Sequence, residues 1–293
     1  MNGPAGSRAG APPASAPSIV FSHANGFPAG TYARLFVAWR AAGRDVEAIE
    51  KLGHDPERPP GPRWLHLRSE LVDRVERVVA RSGRPVDLVG HSLGGFLSVL
   101  AAAKRPELVR AVVLLDSPIV AGWRARVLQL SQSTGLARRF SPGRIARRRR
   151  REWPDAAAAH AHFVAKPAFA RFADGVLADY VRAGLQPVGG RGVALAFDRE
   201  IEAEIYDSLP HHIGRLLARK PLAVPVAFVG GTASREIRMV GLDATARVAE
   251  GRLSFIEGSH LFPLERPAAT AAAVLDWLGR MGSTGRTDQV PFL

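Results

Sequence analysis

Short apolar runs alternate along the chain with longer amphipathic segments, the rhythm expected of a parallel sheet covered by helices. The first apolar run, residues 18–24 (SIVFSHA), predicts a strand that ends in the turn-forming NGFPAG. A helical pattern follows over residues 32–42 and stops at Gly43, and residues 45–50 (DVEAIE) predict a second strand before the loop-like GHDPERPPGP. The clearest helix is expected over residues 64–82. There Leu67, Leu71, Val75 and Val78 recur at three- and four-residue steps, Arg68, Glu70, Arg74 and Arg77 can face water, and Gly83 is the stop. Residues 86–90 (VDLVG) predict a third strand and the stretch from Ser92 to Lys104 a helix. Residues 111–116 (AVVLLD), apolar almost throughout, predict a fourth strand covered on both faces.

The alternation then lapses. Residues 118–221 hold helical patches, basic runs and loops with few strand-like stretches, and the rhythm resumes with a strand at 224–230 (VPVAFVG). A helix near 242–249, a strand at 253–257 (LSFIE) and a last helix over 267–280 complete the pattern. The expected fold is α/β: a mostly parallel sheet of about six strands with helices on both faces, interrupted by a helical cap. Residues 18–117 and 222–281 would form the core and 118–221 the cap, with 1–17 and 282–293 as loose tails.

One motif sits where chemistry requires it. Gly90-His91-Ser92-Leu93-Gly94-Gly95 matches G-x-S-x-G, directly after an apolar strand and directly before a helix. A serine at so sharp a turn is lifted above the sheet edge, flanking glycines remove Cβ atoms that would clash, and the helix N-terminus brings free N–H groups beside it. Ser92 is therefore the candidate nucleophile. His260 follows the strand LSFIE in a loop and is the candidate general base.

These features, in this order, resemble the α/β-hydrolase superfamily, in particular its small cofactor-free esterase-like members with a helical lid. The resemblance runs from about residue 18 to 281 and implies an acyl-enzyme mechanism on a small ester, with no cofactor and no metal. It implies an oxyanion hole from the backbone N–H groups of Phe27, in the loop His23-Ala24-Asn25-Gly26-Phe27, and of Leu93. The family's usual acid position, after the penultimate strand, holds Gly230-Gly231-Thr232-Ala233-Ser234-Arg235-Glu236 with no Asp. Two candidates stay open for the third member, Asp116 at the end of the fourth strand and Glu236 in that later loop. A carbon–carbon bond hydrolase, an acyltransferase, or a non-catalytic module binding through a basic lid are the alternatives on such a fold.

Composition narrows the field further. Hydrophobic residues make 46% of the chain and charged ones 23%, values of a globular protein. The absence of cysteine excludes disulfides, thiolate metal sites and cysteine nucleophiles, and with no secretory pattern at the N-terminus a cytoplasmic setting is expected. His160 with His162, and His211 with His212, lack the carboxylate spacing of a metal site. The formal charge is +13, and only four of the 40 basic residues are lysine (Lys51, Lys104, Lys166, Lys220). Arg147, Arg148, Arg149, Arg150 and Arg151 form a dense run, read as a solvated cap face with an anionic surface as the other possibility; nucleic acid is not expected, because no aromatic residues are interleaved. Phe163, Phe169, Phe172, Val176, Leu177 and Tyr180 are expected to pack the cap on the sheet and wall an acyl pocket.

Overall fold

The computed structural model describes residues 16–133, 142–190 and 192–283. The expected tails fall almost wholly outside them, and the last helix runs on through residues 282 and 283. Nine strands are described: β1 (Ile19–Ser22), β2 (Val46–Ala48), β3 (Val86–His91), β4 (Val109–Leu115), β5 (Glu152–Trp153), β6 (Leu185–Val188), β7 (Gly192–Leu195), β8 (Val226–Gly231) and β9 (Leu253–Ile256). The helices are α1 (Ala33–Ala41), α2 (Leu65–Ser82), α3 (Leu93–Lys104), α4 (Gly122–Ser133), α5 (Gly143–Arg148), α6 (Ala156–Val164), α7 (Val176–Gly184), α8 (Arg199–Asp207), α9 (Ile213–Arg219), α10 (Arg235–Val240), α11 (Asp243–Val248), α12 (Phe262–Glu265) and α13 (Pro267–Ser283).

Six strands form one sheet in the order β2-β1-β3-β4-β8-β9, and every neighbouring pair is parallel. Side-chain alternation distributes the core between its two faces. On one face Leu88, Val112, Leu114 and Phe228 pack with Leu67, Leu71 and Val75 of α2 and Leu97 of α3. On the other, Val89, Val113, Leu115 and Val229 meet Leu35 and Trp39 of α1 and Val274 and Leu278 of α13. The central strands are buried on both sides, which is why they read as unbroken apolar runs.

The strand order also fixes where a site can form. From β1 the chain runs outward to β2, and from β3 it runs the other way to β4. The carboxyl ends of β1 and β3 therefore flank a crevice with no crossover above it, the usual place for ligands in an open parallel sheet. Ser92 follows β3, and Asn25-Gly26-Phe27 follow β1.

Between β4 and β8 lie α4 to α9 together with a three-stranded antiparallel sheet ordered β5-β7-β6. The sequence pattern gave no sign of this sheet. Its strands are only two to four residues long, and Gln186, Pro187 and Val188 of β6 are all exposed, so nothing alternates. Phe163, Phe169 and Tyr180 form the cap's own core with Trp153, drawn from separate elements and not from a single helix.

The arginine run does not form one solvent-facing row. Arg147 pairs with Glu200 at 3.2 Å and Asp207 at 2.8 Å, both on α8. Arg149 turns inward to Glu202 at 2.5 Å and to the Tyr180 hydroxyl at 2.9 Å. Arg150 stacks over Trp153 at 5.6 Å. Two of the five charges, those of Arg147 and Arg149, are thus paired with acids of α8.

Candidate active site

Ser92 sits at φ 53°, ψ −113° between β3 and α3, in a region that a non-glycine residue enters only under constraint. The glycines around it are required by space. A Cβ on Gly90 would overlap the Gly94 backbone, one on Gly94 the Ser22 carbonyl, and one on Gly95 the Ser117 side chain. The Ser92 N–H donates to Leu115 O at 3.0 Å, tying the elbow to the end of β4.

His260 reaches this hydroxyl from the loop after β9. Its Nε2 lies 3.0 Å from Ser92 Oγ and its Nδ1 2.6 Å from Asp116 Oδ2. A carboxylate oxygen accepts only, so Nδ1 carries the proton and Nε2 is free to accept from the serine. Asp116 is fully buried, and its charge is met by two further donors: Gly231 N–H to Oδ1 at 2.9 Å and the Ser234 hydroxyl to Oδ2 at 2.6 Å. Glu236 stands farther off, its Oε2 3.6 Å from Nδ1, with its side chain 38% exposed. Both acids left open by the sequence thus stand beside the imidazole, and Asp116 is the one in hydrogen-bond contact. Burial pulls the His260 pKa down, but the Asp116 hydrogen bond and the charges of Glu236 and Asp116 outweigh it, and the net shift is upward.

Residues outside the three catalytic candidates hold this loop. Glu265, nearly buried, accepts from Ser259 N–H at 2.9 Å and Ser259 O–H at 2.6 Å, and it pairs with Arg171 of the cap at 3.1 Å. His91 lies between Tyr32 and His260. Its Nε2 is 2.8 Å from the His260 carbonyl and its Nδ1 2.7 Å from the Tyr32 hydroxyl. The carbonyl requires a proton on Nε2, so Tyr32 donates to Nδ1 and its oxygen accepts from Ala24 N–H at 3.3 Å. Burial, with His260 close by, keeps the His91 pKa well below the ordinary value, which holds this tautomer neutral.

The loop after β1 turns at Gly26 (φ 78°), where a Cβ would press on Glu202 and Arg149 of the cap. Phe27 N–H donates to Ala24 O at 3.1 Å within this turn, and the same carbonyl accepts from His23 Nδ1 at 2.8 Å. His23 Nε2 in turn accepts from Leu52 N–H at 2.8 Å, and burial lowers the His23 pKa to about 4. The Phe27 ring packs against Tyr180 at 5.6 Å and Phe169 at 6.1 Å, so the loop and the cap share one aromatic cluster. Leu93 opens α3, where the first N–H groups have no intrahelical acceptor.

Among the described residues, Asp116, Glu236 and His260 are the one group whose donor atoms, all within 4.8 Å of one another, could hold a metal ion. An ion there would displace the Nδ1 proton that Asp116 accepts. No described helix is long and apolar enough to cross a membrane.

Comparison with known proteins agrees with this architecture. The Alpha/beta hydrolase family profile matches residues 19–273. A protein named probable esterase PIR7A from Oryza sativa is 33% identical over 127 residues, 42% of this chain and 46% of the relative. Esterase Rv0045c of Mycobacterium tuberculosis is 34% identical over 102 residues, 35% of this chain and 33% of the relative. The chain thus matches less than half the length of these curated relatives. Among solved structures, E-2-(acetamidomethylene)succinate hydrolase superposes with a TM-score of 0.70 at 22% identity, covering 90% of this chain and 91% of that one, a likeness of fold.

Proposed function

Because this chain belongs to the α/β hydrolase family, we propose that it is a serine hydrolase cleaving a small carboxylic ester, with Ser92 as nucleophile, His260 as general base and Asp116 as the acid. The observation that carries the reading is the imidazole bridging a strained serine hydroxyl at 3.0 Å and a buried carboxylate at 2.6 Å. Ser92 Oγ attacks the ester carbonyl carbon as its proton passes to His260 Nε2. The resulting imidazolium is held by Asp116 through Nδ1–H. The tetrahedral oxyanion accepts from the N–H groups of Leu93 and Phe27, each such donor contributing roughly 3 kcal/mol.

Phe27 must then share or surrender its bond to Ala24 O. His23 Nδ1–H remains on that carbonyl, so the exchange leaves no buried acceptor unpaired. Collapse of the intermediate breaks the bond to the leaving alkoxide, which takes the proton from His260. Water, deprotonated by the same imidazole, then attacks the acyl-enzyme and releases the carboxylic acid and Ser92. The rice and mycobacterial relatives are named esterases, which puts an ester ahead of other acyl substrates. The aromatic rings beside Phe27 favour an apolar acyl group.

A p-nitrophenyl ester panel from acetate to palmitate tests the reading. Turnover should peak at one chain length and vanish in Ser92→Ala; hydrolysis that persists in that variant refutes it.

A further inference from the structure

A cavity of about 650 Å³ opens where the cap meets the sheet, a size typical of small-molecule sites. Ile119, Leu217, Leu222, Val224 and Val248 give it an apolar lining, and the first two are almost fully buried. The chain leaves the sheet past Ile119 and Gly122 and returns past Pro221 and Val224, so both crossings of the cap lie along its wall. Ser92, His260, Asp116 and Phe27 are not among its lining residues.

Its charge is one-sided. Arg126, Arg215 and Arg247 line it and are exposed, and His211 joins them. The acid on the wall, Glu250, pairs with Arg252 at 2.7 Å. Among the described residues none of the three guanidinium groups holds a carboxylate, and Arg215 bonds only the neutral Gln129 side chain, at 3.2 Å. That contrasts with Arg58, Arg74, Arg105, Arg147 and Arg149, each paired with an acid. Burial and then Arg215 lower the His211 pKa, a sign of the same positive field.

We propose that this cavity is a second binding site, for an amphipathic carboxylate whose alkyl chain lies on the apolar wall and whose head is held by Arg126, Arg215 and Arg247. Planar guanidinium groups match a carboxylate in bidentate geometry, and an apolar chain accounts for a lining that a simple inorganic anion would leave wet. The site stands independently of the reaction at Ser92, because its readout is binding.

Isothermal titration of the full chain with decanoate tests it. Wild type should bind decanoate at least tenfold more tightly than decanol, and about fifteenfold more tightly than octanoate, at roughly fourfold per buried CH₂. The Arg126→Ala/Arg247→Ala variant should lose at least tenfold, and Ala125→Trp, which fills the cavity, should abolish binding. Hydrolysis of p-nitrophenyl acetate should stay within twofold of wild type in the arginine variant. Decanoate binding that survives the arginine substitutions, or no binding to wild type up to millimolar concentration, overturns the proposal.

Discussion

Replacing Asp116 with asparagine changes one atom and sets two demands against each other. Oδ1 accepts from Gly231 N–H at 2.9 Å, while Oδ2 accepts from Ser234 at 2.6 Å and His260 at 2.6 Å. An amide has one accepting end and one donating end. With its NH₂ toward Gly231, two donors face each other in a fully buried site, a conflict costing about 1–3 kcal/mol. With its NH₂ toward His260, the imidazole must accept at Nδ1, which puts the proton on Nε2 where Ser92 needs an acceptor. In either orientation the imidazolium loses its buried counter-charge. We expect kcat to fall about 10⁴-fold, or ~5 kcal/mol of transition-state stabilisation. Glu236→Gln should cost less than tenfold, because that carboxylate is more than a third exposed and 3.6 Å from Nδ1. Steady-state hydrolysis of p-nitrophenyl butyrate, with thermal melts to verify folding, reads both. A small loss in Asp116→Asn beside a large one in Glu236→Gln would refute the reasoning and move the acid to Glu236.

The remaining expectations are smaller in scope. The base acts when neutral, so activity should fall as pH drops through the raised His260 pKa; removing the Glu236 charge lowers that pKa, and Glu236→Gln should shift the acid limb of kcat to lower pH. His23 titrates near 4 when folded and near 6.5 when unfolded, so the unfolded chain binds the extra proton between those values. His23 should therefore contribute a fall of about 3 kcal/mol as pH drops from 6.5 to 4, read in urea titrations as the part of the slope lost in His23→Gln, while His91, also depressed, keeps its own share. Gly94→Ala should destabilise by about 3 kcal/mol or prevent folding, because its methyl group would overlap the Ser22 carbonyl; a melt matching wild type would contradict the tight elbow.

The parallel strands and the elbow were legible because their causes are local. A strand buried on both faces must be apolar throughout, and a hydroxyl lifted above the sheet needs glycines at fixed offsets. Each predicted strand of the large sheet lies within a few residues of the observed one, whereas the short helix α10 was not anticipated: its six residues carry no buried apolar stripe. The small cap sheet escaped notice for the same lack of periodicity. The contacts that hold the site escaped because they join distant positions. Ser234 meets Asp116 across 118 residues, and His91 meets the His260 backbone across 169. The chain favours Asp116 but leaves Glu236 open, since β4 and β8 are adjacent and both end at the same sheet edge. The inward turn of Arg149 was equally hidden, for its partner Glu202 lies 53 residues on.

The central claim is that the Ser92 oxygen is made nucleophilic by His260. Mass spectrometry of the intact protein after exposure to a fluorophosphonate, followed by peptide mapping, addresses it directly. One adduct on Ser92 is predicted in wild type, with labelling slowed by orders of magnitude in His260→Ala. Labelling elsewhere, or at an undiminished rate without the imidazole, would contradict it.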